Sequence, residues 1–363
     1  MIEAVLQHLA TLVSFDTRNP PREIAAEGGI FGYLRAQLSG FDVEVVDYGA
    51  GAVSLFAVRG QPRVLFNVHM DTVPDSPAWS ADPHTLRIEG DRVIGLGACD
   101  IKGAAAALVA VAQSTHGDMA LLFTSDEEAN DPRCIHAFLQ RDHGFRNVIV
   151  AEPTRCEAVL AHRGISAVRM EFLGDAGHAS GAQALQASAL HRAMRWGVRA
   201  LDHVEAHAAQ AFGGLQGLRF NIGRVEGGIK ANVIAPRAEV RFGFRPLPSQ
   251  SMGELHAQFR DFAAGEADYE ETFRGPSLPA GEAADAENRR RDAQALAESL
   301  QLPIGNAVDF WTEASLFSAA GMNAIVYGPG DIAQAHTADE WVALEQLERY
   351  AASIQRILTT SSQ

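Results

Sequence analysis

The chain has 363 residues, 47% hydrophobic and 21% charged, with a formal net charge of -15, which suffices for one large domain or two ordinary ones with real cores. That charge repels a phosphate backbone, and no basic stripe interleaved with aromatics offsets it, so nucleic acid is not an expected partner. The longest apolar stretch, Gly103–Gln113, is about half of what a membrane span needs, and the first residues lack the basic start and apolar core of a signal peptide, so neither a membrane nor export is expected.

In chain order, "RVLFNV" before His69, "MALLFTS" before Asp126 and "NVIVA" before Glu152 are near-continuous apolar runs. Such runs suit a sheet covered on both faces. Each is followed by a polar turn, and the alanine-rich stretch after Asp100 has helical character, so this part predicts an α/β fold. From about Ile165 to Gly275 the pattern becomes strand, helix, strand, strand, helix: "ISAVRMEFLG", "QALQASALHRAMRWGVRALDHV", "LRFNIGRVEGG", "NVIAPRAEVRFGFRP" and a helix from about Ser249. This predicts a smaller α+β module with an antiparallel sheet. The stretch "RGPSLPAGEAADAENRRR" reads as a connection back, its Arg289–Arg291 run as a helix face, "NAIVYG" as another buried strand and "DEWVALEQLERYAASIQRIL" as a helix.

The expected organisation is therefore a mixed, mainly parallel sheet covered by helices, in residues 1–163 and 277–363, interrupted by an α+β insert over 164–276. Cys99, Cys134 and Cys156 form no Cys-x-x-Cys pair and suggest neither a disulfide framework nor a zinc ribbon, which fits a reducing cytoplasm.

Histidine and carboxylate side chains gather at the expected strand ends: His69 and Asp71 in "HMD", Asp100 in "GLGACDIKG", Glu127 and Glu128 in "SDEE", Glu152 in "AEPT". Beyond the carboxyl ends of the strands is where open α/β sheets bind ligands. Singly, each has a plain account as a satisfied histidine, a helix cap or a surface acid. Together they would crowd carboxylates into one crevice, an arrangement stabilised by bound cations. Imidazole and carboxylate without thiolate suits zinc, cobalt or manganese, and His336, after the last predicted strand, is the candidate second histidine. Gly95 and Gly97 resemble part of a dinucleotide fingerprint, but Asp100 and Lys102 interrupt the turn and no first βα unit precedes it.

These segments, with "WSADP", "GHAS", "GGIKANVIAP", "RP" at Arg245, "TEA" and "GPGDIAQAHTADE", resemble the two-zinc aminoacylase and carboxypeptidase-type metallohydrolases over nearly the whole chain. The group includes acetylornithine deacetylase and succinyl-diaminopimelate desuccinylase. The resemblance implies a zinc-exopeptidase-like fold whose insert serves as lid or dimerisation domain. It implies two divalent ions, zinc with cobalt or manganese possible. His69 and Glu152 would hold one, Glu128 and His336 the other, and Asp100 would bridge them. Asp71 would orient His69, and Glu127 would be the general base. His178 matches a histidine that, in dimeric relatives, reaches the partner's site to steady the oxyanion; a homodimer follows by the same resemblance. Asn232 and Arg245 resemble substrate-binding positions. Leu96, where many relatives carry arginine, and Ala179, where serine is common, depart from the pattern without removing a ligand.

The activity so implied is metal-dependent hydrolysis of the amide bond of an Nα-acetyl amino acid of arginine biosynthesis, releasing acetate and the free amino acid. The short chain and the two departures place N-acetylcitrulline ahead of N-acetylornithine. A desuccinylase or dipeptidase is the alternative within hydrolases, and a binding protein that has lost catalysis the alternative outside them.

Overall fold

The computed structural model describes residues 1–129 and 133–360. The chain forms two compact units, one of Met1–Leu160, Arg289–Gly305 and Thr312–Gln363, the other of Ala161–Asn288 and Asn306–Trp311.

The first unit is built on a six-stranded sheet in the order Asp42–Asp47, Val53–Arg59, Met119–Thr124, Val64–His69, Asn147–Val150, Asn323–Val326. Its last four strands are mutually parallel and the first two antiparallel to their neighbours, giving the mixed, mainly parallel sheet expected. Every residue of Val64–His69 and of Met119–Thr124 is buried, because helices cover both faces. The helix Gly103–Ser114 is buried along Gly103–Ala112, its small side chains letting it lie between the helices Ile2–Ser14 and Leu344–Thr360. In Leu344–Thr360, Leu347, Tyr350, Ala351, Ile354 and Leu358 recur at helical spacing and are all buried. Register fixes where the chemistry goes: His69 pairs with Thr124 and Asn67 with Val150, so the segments with His69, Glu127, Glu128 and Glu152 leave the sheet at one edge.

Two elements differ from the sequence pattern. Trp341–Ala343, read as the start of the last helix, is a strand paired with Arg92–Ile94, because the hairpin Arg87–Glu89/Arg92–Ile94 offers a free edge there. The helix expected from Gln183 is broken at Ser188, which is extended (φ -77, ψ 120), since main-chain bonds from Ala189 to Ala235 and from Asp175 to Ala187 take precedence over helix continuation.

The second unit is an antiparallel sheet in the order Arg219–Gly227, Arg237–Arg245, Ile165–Leu173, Ala267–Gly275. Val168, Met170, Phe172, Val240, Phe242 and Phe244 face the helices Ala189–Ala206 and Met252–Asp261, forming a separate core around Trp196 and Phe259. The intervening positions carry Arg169, Glu171, Arg237, Glu239 and Arg241 in ion pairs, as period-two alternation requires of a half-buried sheet. Ser251 caps the second helix by accepting the Glu254 N–H at 3.3 Å. Among the described residues, no helix is long and apolar enough to cross a membrane.

Candidate metal centre

His69 ends its strand buried, 3% exposed. Its Nδ1 lies 3.0 Å from the main-chain oxygen of Asp71 and 3.5 Å from Asp71 Oδ1, so that nitrogen faces acceptors only and carries the proton. The other nitrogen, Nε2, points at Asp100 Oδ1, 3.1 Å away. The Asp71 carboxylate meanwhile accepts the Glu128 N–H at 3.0 Å and the Asn19 side-chain amide at 2.9 Å. Asp71 therefore meets His69 chiefly through its main chain, and its side chain fixes the turn that bears Glu128.

Asp100 presents one oxygen to each imidazole. Oδ1 faces His69, and Oδ2 lies 3.3 Å from His336 Nε2, which is also 3.0 Å from Glu128 Oε1. Two triads result, His69–Asp100–Glu152 and Asp100–Glu128–His336, each with donor atoms within 4.8 Å of one another. The turn after Asn323–Val326 reaches the site by passing the Glu152 backbone so closely that a Cβ on Gly328 would sit 2.5 Å from the Glu152 carbonyl oxygen. Arg155 then ties the Glu152 turn to the His336 turn, its Nε donating to Asp331 at 2.6 Å and its main-chain N–H to Gly330 at 2.7 Å.

The electrostatics follow from this crowding. Burial opposes charge on His69, yet the carboxylates of Asp100 and Asp71, one facing each ring nitrogen, hold it well above the ordinary range. Asp100 and Glu128 raise His336 to about 11. Burial raises Asp100, but the two imidazoles outweigh it and keep it far below the carboxylate range. Glu127 is pushed up to about 8 by burial and then by Glu128, Asp71 and Asp100, against His69. Glu152 is driven well above its usual value by burial and then Asp100. Between each Nε2 and its carboxylate, two acceptors confront each other unless a proton or a cation lies between them. Hard oxygens and imidazole nitrogens around a shared carboxylate are the donor set of a pair of divalent cations, so these residues fit such ions.

His178, Asn232 and Arg245 belong to the second unit. His178 is exposed and bonds Ser180 Oγ at 2.7 Å. Its segment meets that of Asn232, whose carbonyl accepts the Ala179 N–H at 3.1 Å. Arg245, half-buried, closes the strand Arg237–Arg245, and burial lowers its guanidinium.

Asn19, Lys102, Glu313 and Glu340 around the centre were not singled out by the sequence as parts of it. Lys102 is fully buried, donates to Phe15 O at 3.0 Å, and burial lowers it to about 7. Glu313, in "TEA", is 1% exposed with Oε1 unpartnered, and burial, then Asp126 and Glu127, push it well above the ordinary range. A charged residue inside an otherwise apolar or glycine-rich turn was the available signal for Lys102; none marks Asn19.

The family model described as peptidase family M20/M25/M40 matches residues 65–360. The chain is 70% identical over 362 residues to N-acetyl-L-citrulline deacetylase of Xanthomonas campestris pv. campestris, covering 99% of each. It is 30% identical to acetylornithine deacetylase of Myxococcus xanthus, covering 98% of this chain and 97% of that one. Among solved structures, aminopeptidase PepT from Bacillus cereus superposes with a TM-score of 0.74 at 18% identity, covering 100% of this chain and 99% of that one. The chain belongs to peptidase family M20/M25/M40.

Proposed function

We propose that this chain hydrolyses the amide bond of N-acetyl-L-citrulline, releasing acetate and citrulline. The observation that carries this reading is the 70% identity to a deacetylase of that name along 99% of both chains. The two triads and the raised Glu127 support a hydrolytic centre.

In this reading His69, Asp100 and Glu152 hold one divalent ion, and Asp100, Glu128 and His336 a second, with zinc, cobalt or manganese as the candidates. Ions there would supply Lewis acidity to the attacking water and the amide carbonyl. Glu127 takes the proton of the attacking water and returns it to the leaving amine nitrogen. Asp71 keeps the His69 ring and the Glu128 turn in place. Arg245 pairs with the substrate carboxylate, its planar fork matching that group, and Asn232 binds the substrate beside it. His178 of a second copy donates to the developing oxyanion, so the working form is a homodimer. The net charge of -15 and three buried free thiols suit the cytoplasm.

The test is amine release by the purified protein, loaded with zinc or cobalt, from a panel of N-acetylcitrulline, N-acetylornithine and N-succinyl-diaminopimelate. Highest kcat/KM on acetylcitrulline is expected. Preference for acetylornithine would move the reading to the branch of the Myxococcus relative, and inactivity on all three and on a set of dipeptides, with metal bound, would leave a binding protein.

A further inference from the structure

Glu340 lies four residues after His336 and is 1% exposed. Its carboxylate accepts three main-chain N–H groups from one turn: Cys99 at 2.8 Å and Asp100 at 2.9 Å on Oε1, and Gly97 at 3.0 Å on Oε2. Its own carbonyl accepts the Gly95 N–H at 3.0 Å. The residue is placed there by the small sheet, in which Trp341 pairs with Ile94, so Glu340 arrives opposite Gly95. Next to it, Asp339 Oδ1 accepts from Ser80 Oγ at 2.8 Å and Arg87 at 2.7 Å, which pins the approach.

We propose that Glu340 is a positioning residue for the two-ion centre: by clamping the Gly97–Asp100 backbone it aims the two oxygens of Asp100 at the two triads, and it ties the His336 segment to that turn. The proposal rests on the two-ion reading above. A neutral amide would not serve this turn, because its nitrogen is a donor and would confront a main-chain N–H, whereas the carboxylate accepts all three. A carboxylate buried close to that of Asp100 is costly unless its charge is answered; the buried Lys102 and the three amides answer it, and one of those amides belongs to the residue shared by both triads. Its negative charge adds to the field that favours cations at Asp100, and its rigid grip spares the site reorganisation when they bind.

The experiment compares the unmodified chain with Glu340→Gln, nearly isosteric but uncharged, and Glu340→Ala. In the metal-free proteins, hydrogen exchange of the 95–102 segment is expected to speed up in both variants. With cobalt as probe, the unmodified chain should take up two equivalents. Glu340→Gln should bind at least one of them about tenfold or more weakly, with an altered visible absorption spectrum, and kcat should fall with KM little changed. Should Glu340→Ala fail to fold, Glu340→Gln decides alone. Two equivalents bound by Glu340→Gln with unchanged affinity and spectrum would overturn the role of Glu340 and leave the two-ion reading standing. No cobalt uptake by the unmodified chain would overturn both.

Discussion

Glu127 and Glu128 are adjacent in sequence but face different surroundings. Glu128 stands 3.0 Å from His336, whereas Glu127 makes no ion pair among the described residues and is lifted to about 8 by burial. The division of labour proposed for them gives opposite signatures. Glu127→Gln should retain both ions while kcat drops on the order of a hundredfold or more, the usual loss with a general base. Glu128→Gln should lose or weaken one ion, measured by elemental analysis after gel filtration. Near-normal turnover by the first variant, or full metal content at low zinc in the second, would contradict the assignment. Asp126 beside them is a cap: its Oδ2 accepts the Cys134 N–H at 2.8 Å, at the start of the helix Arg133–Leu139. His69, Glu128 and Glu152 drew notice because they follow strand ends, whereas the grouping with Asp100 and His336 came from the resemblance. Glu340 and Asn19 were not, since each acts on a backbone or side chain that only turn pairing brings within reach.

Elements were legible where one driving force dominated. The doubly covered strands Val64–His69 and Met119–Thr124 announce themselves by unbroken apolar runs. Trp341–Ala343 did not, because its apolar spacing continues into a helix and its strand state depends on an edge over two hundred residues earlier in the chain. The helix Ala189–Ala206 has two apolar stripes. It buries Ala193, Trp196 and Ala200 but leaves Met194 60%, Val198 58% and Leu201 47% exposed, at spacings of four and three that form a second apolar stripe. On the same unit, the strand Arg219–Gly227 is a sheet edge nine residues long, with Val225 49% exposed. A long edge with no further strand on it among the described residues, beside an apolar stripe, suits antiparallel pairing with a second copy, the homodimer of the proposed reading. Met194→Asp with Val198→Asp should give a monomer by light scattering, with the far-ultraviolet spectrum retained. A dimer of unchanged mass would place the contact elsewhere, and a monomeric unmodified chain would remove it.

Across the molecule, the buried charge makes metal-free stability and cation binding depend on pH in opposite directions. In the metal-free chain His336 stands near 11 against an ordinary 6.5, Glu127 near 8 and Glu340 near 7 against 4.5. A group whose folded value is raised contributes stability that is complete below its unfolded value and lost as pH rises through the folded one. His336 therefore stabilises fully below 6.5 and progressively less up to 11, and the two glutamates lose their contribution between 4.5 and about 8. Lys102 opposes them, since lowering from 10.5 to about 7 makes stability rise with pH across that interval. Asp100, depressed, matters only in acid. Above pH 6.5 the raised groups outnumber the single lysine, so the metal-free protein should melt at lower temperature as pH increases. In the proposed reading cations at the triads would replace the imidazole protons, so zinc affinity should climb with pH and binding should release protons, seen as calorimetric heats that vary with the ionisation enthalpy of the buffer. Zinc at a hundred times its Kd would then add about 2.7 kcal/mol for each site it fills. The melting temperature of the zinc-loaded chain should accordingly fall less steeply between pH 7 and 9 than that of the chelated one. Parallel slopes, with no proton release, would mean that the histidines of the triads do not exchange a proton for a metal.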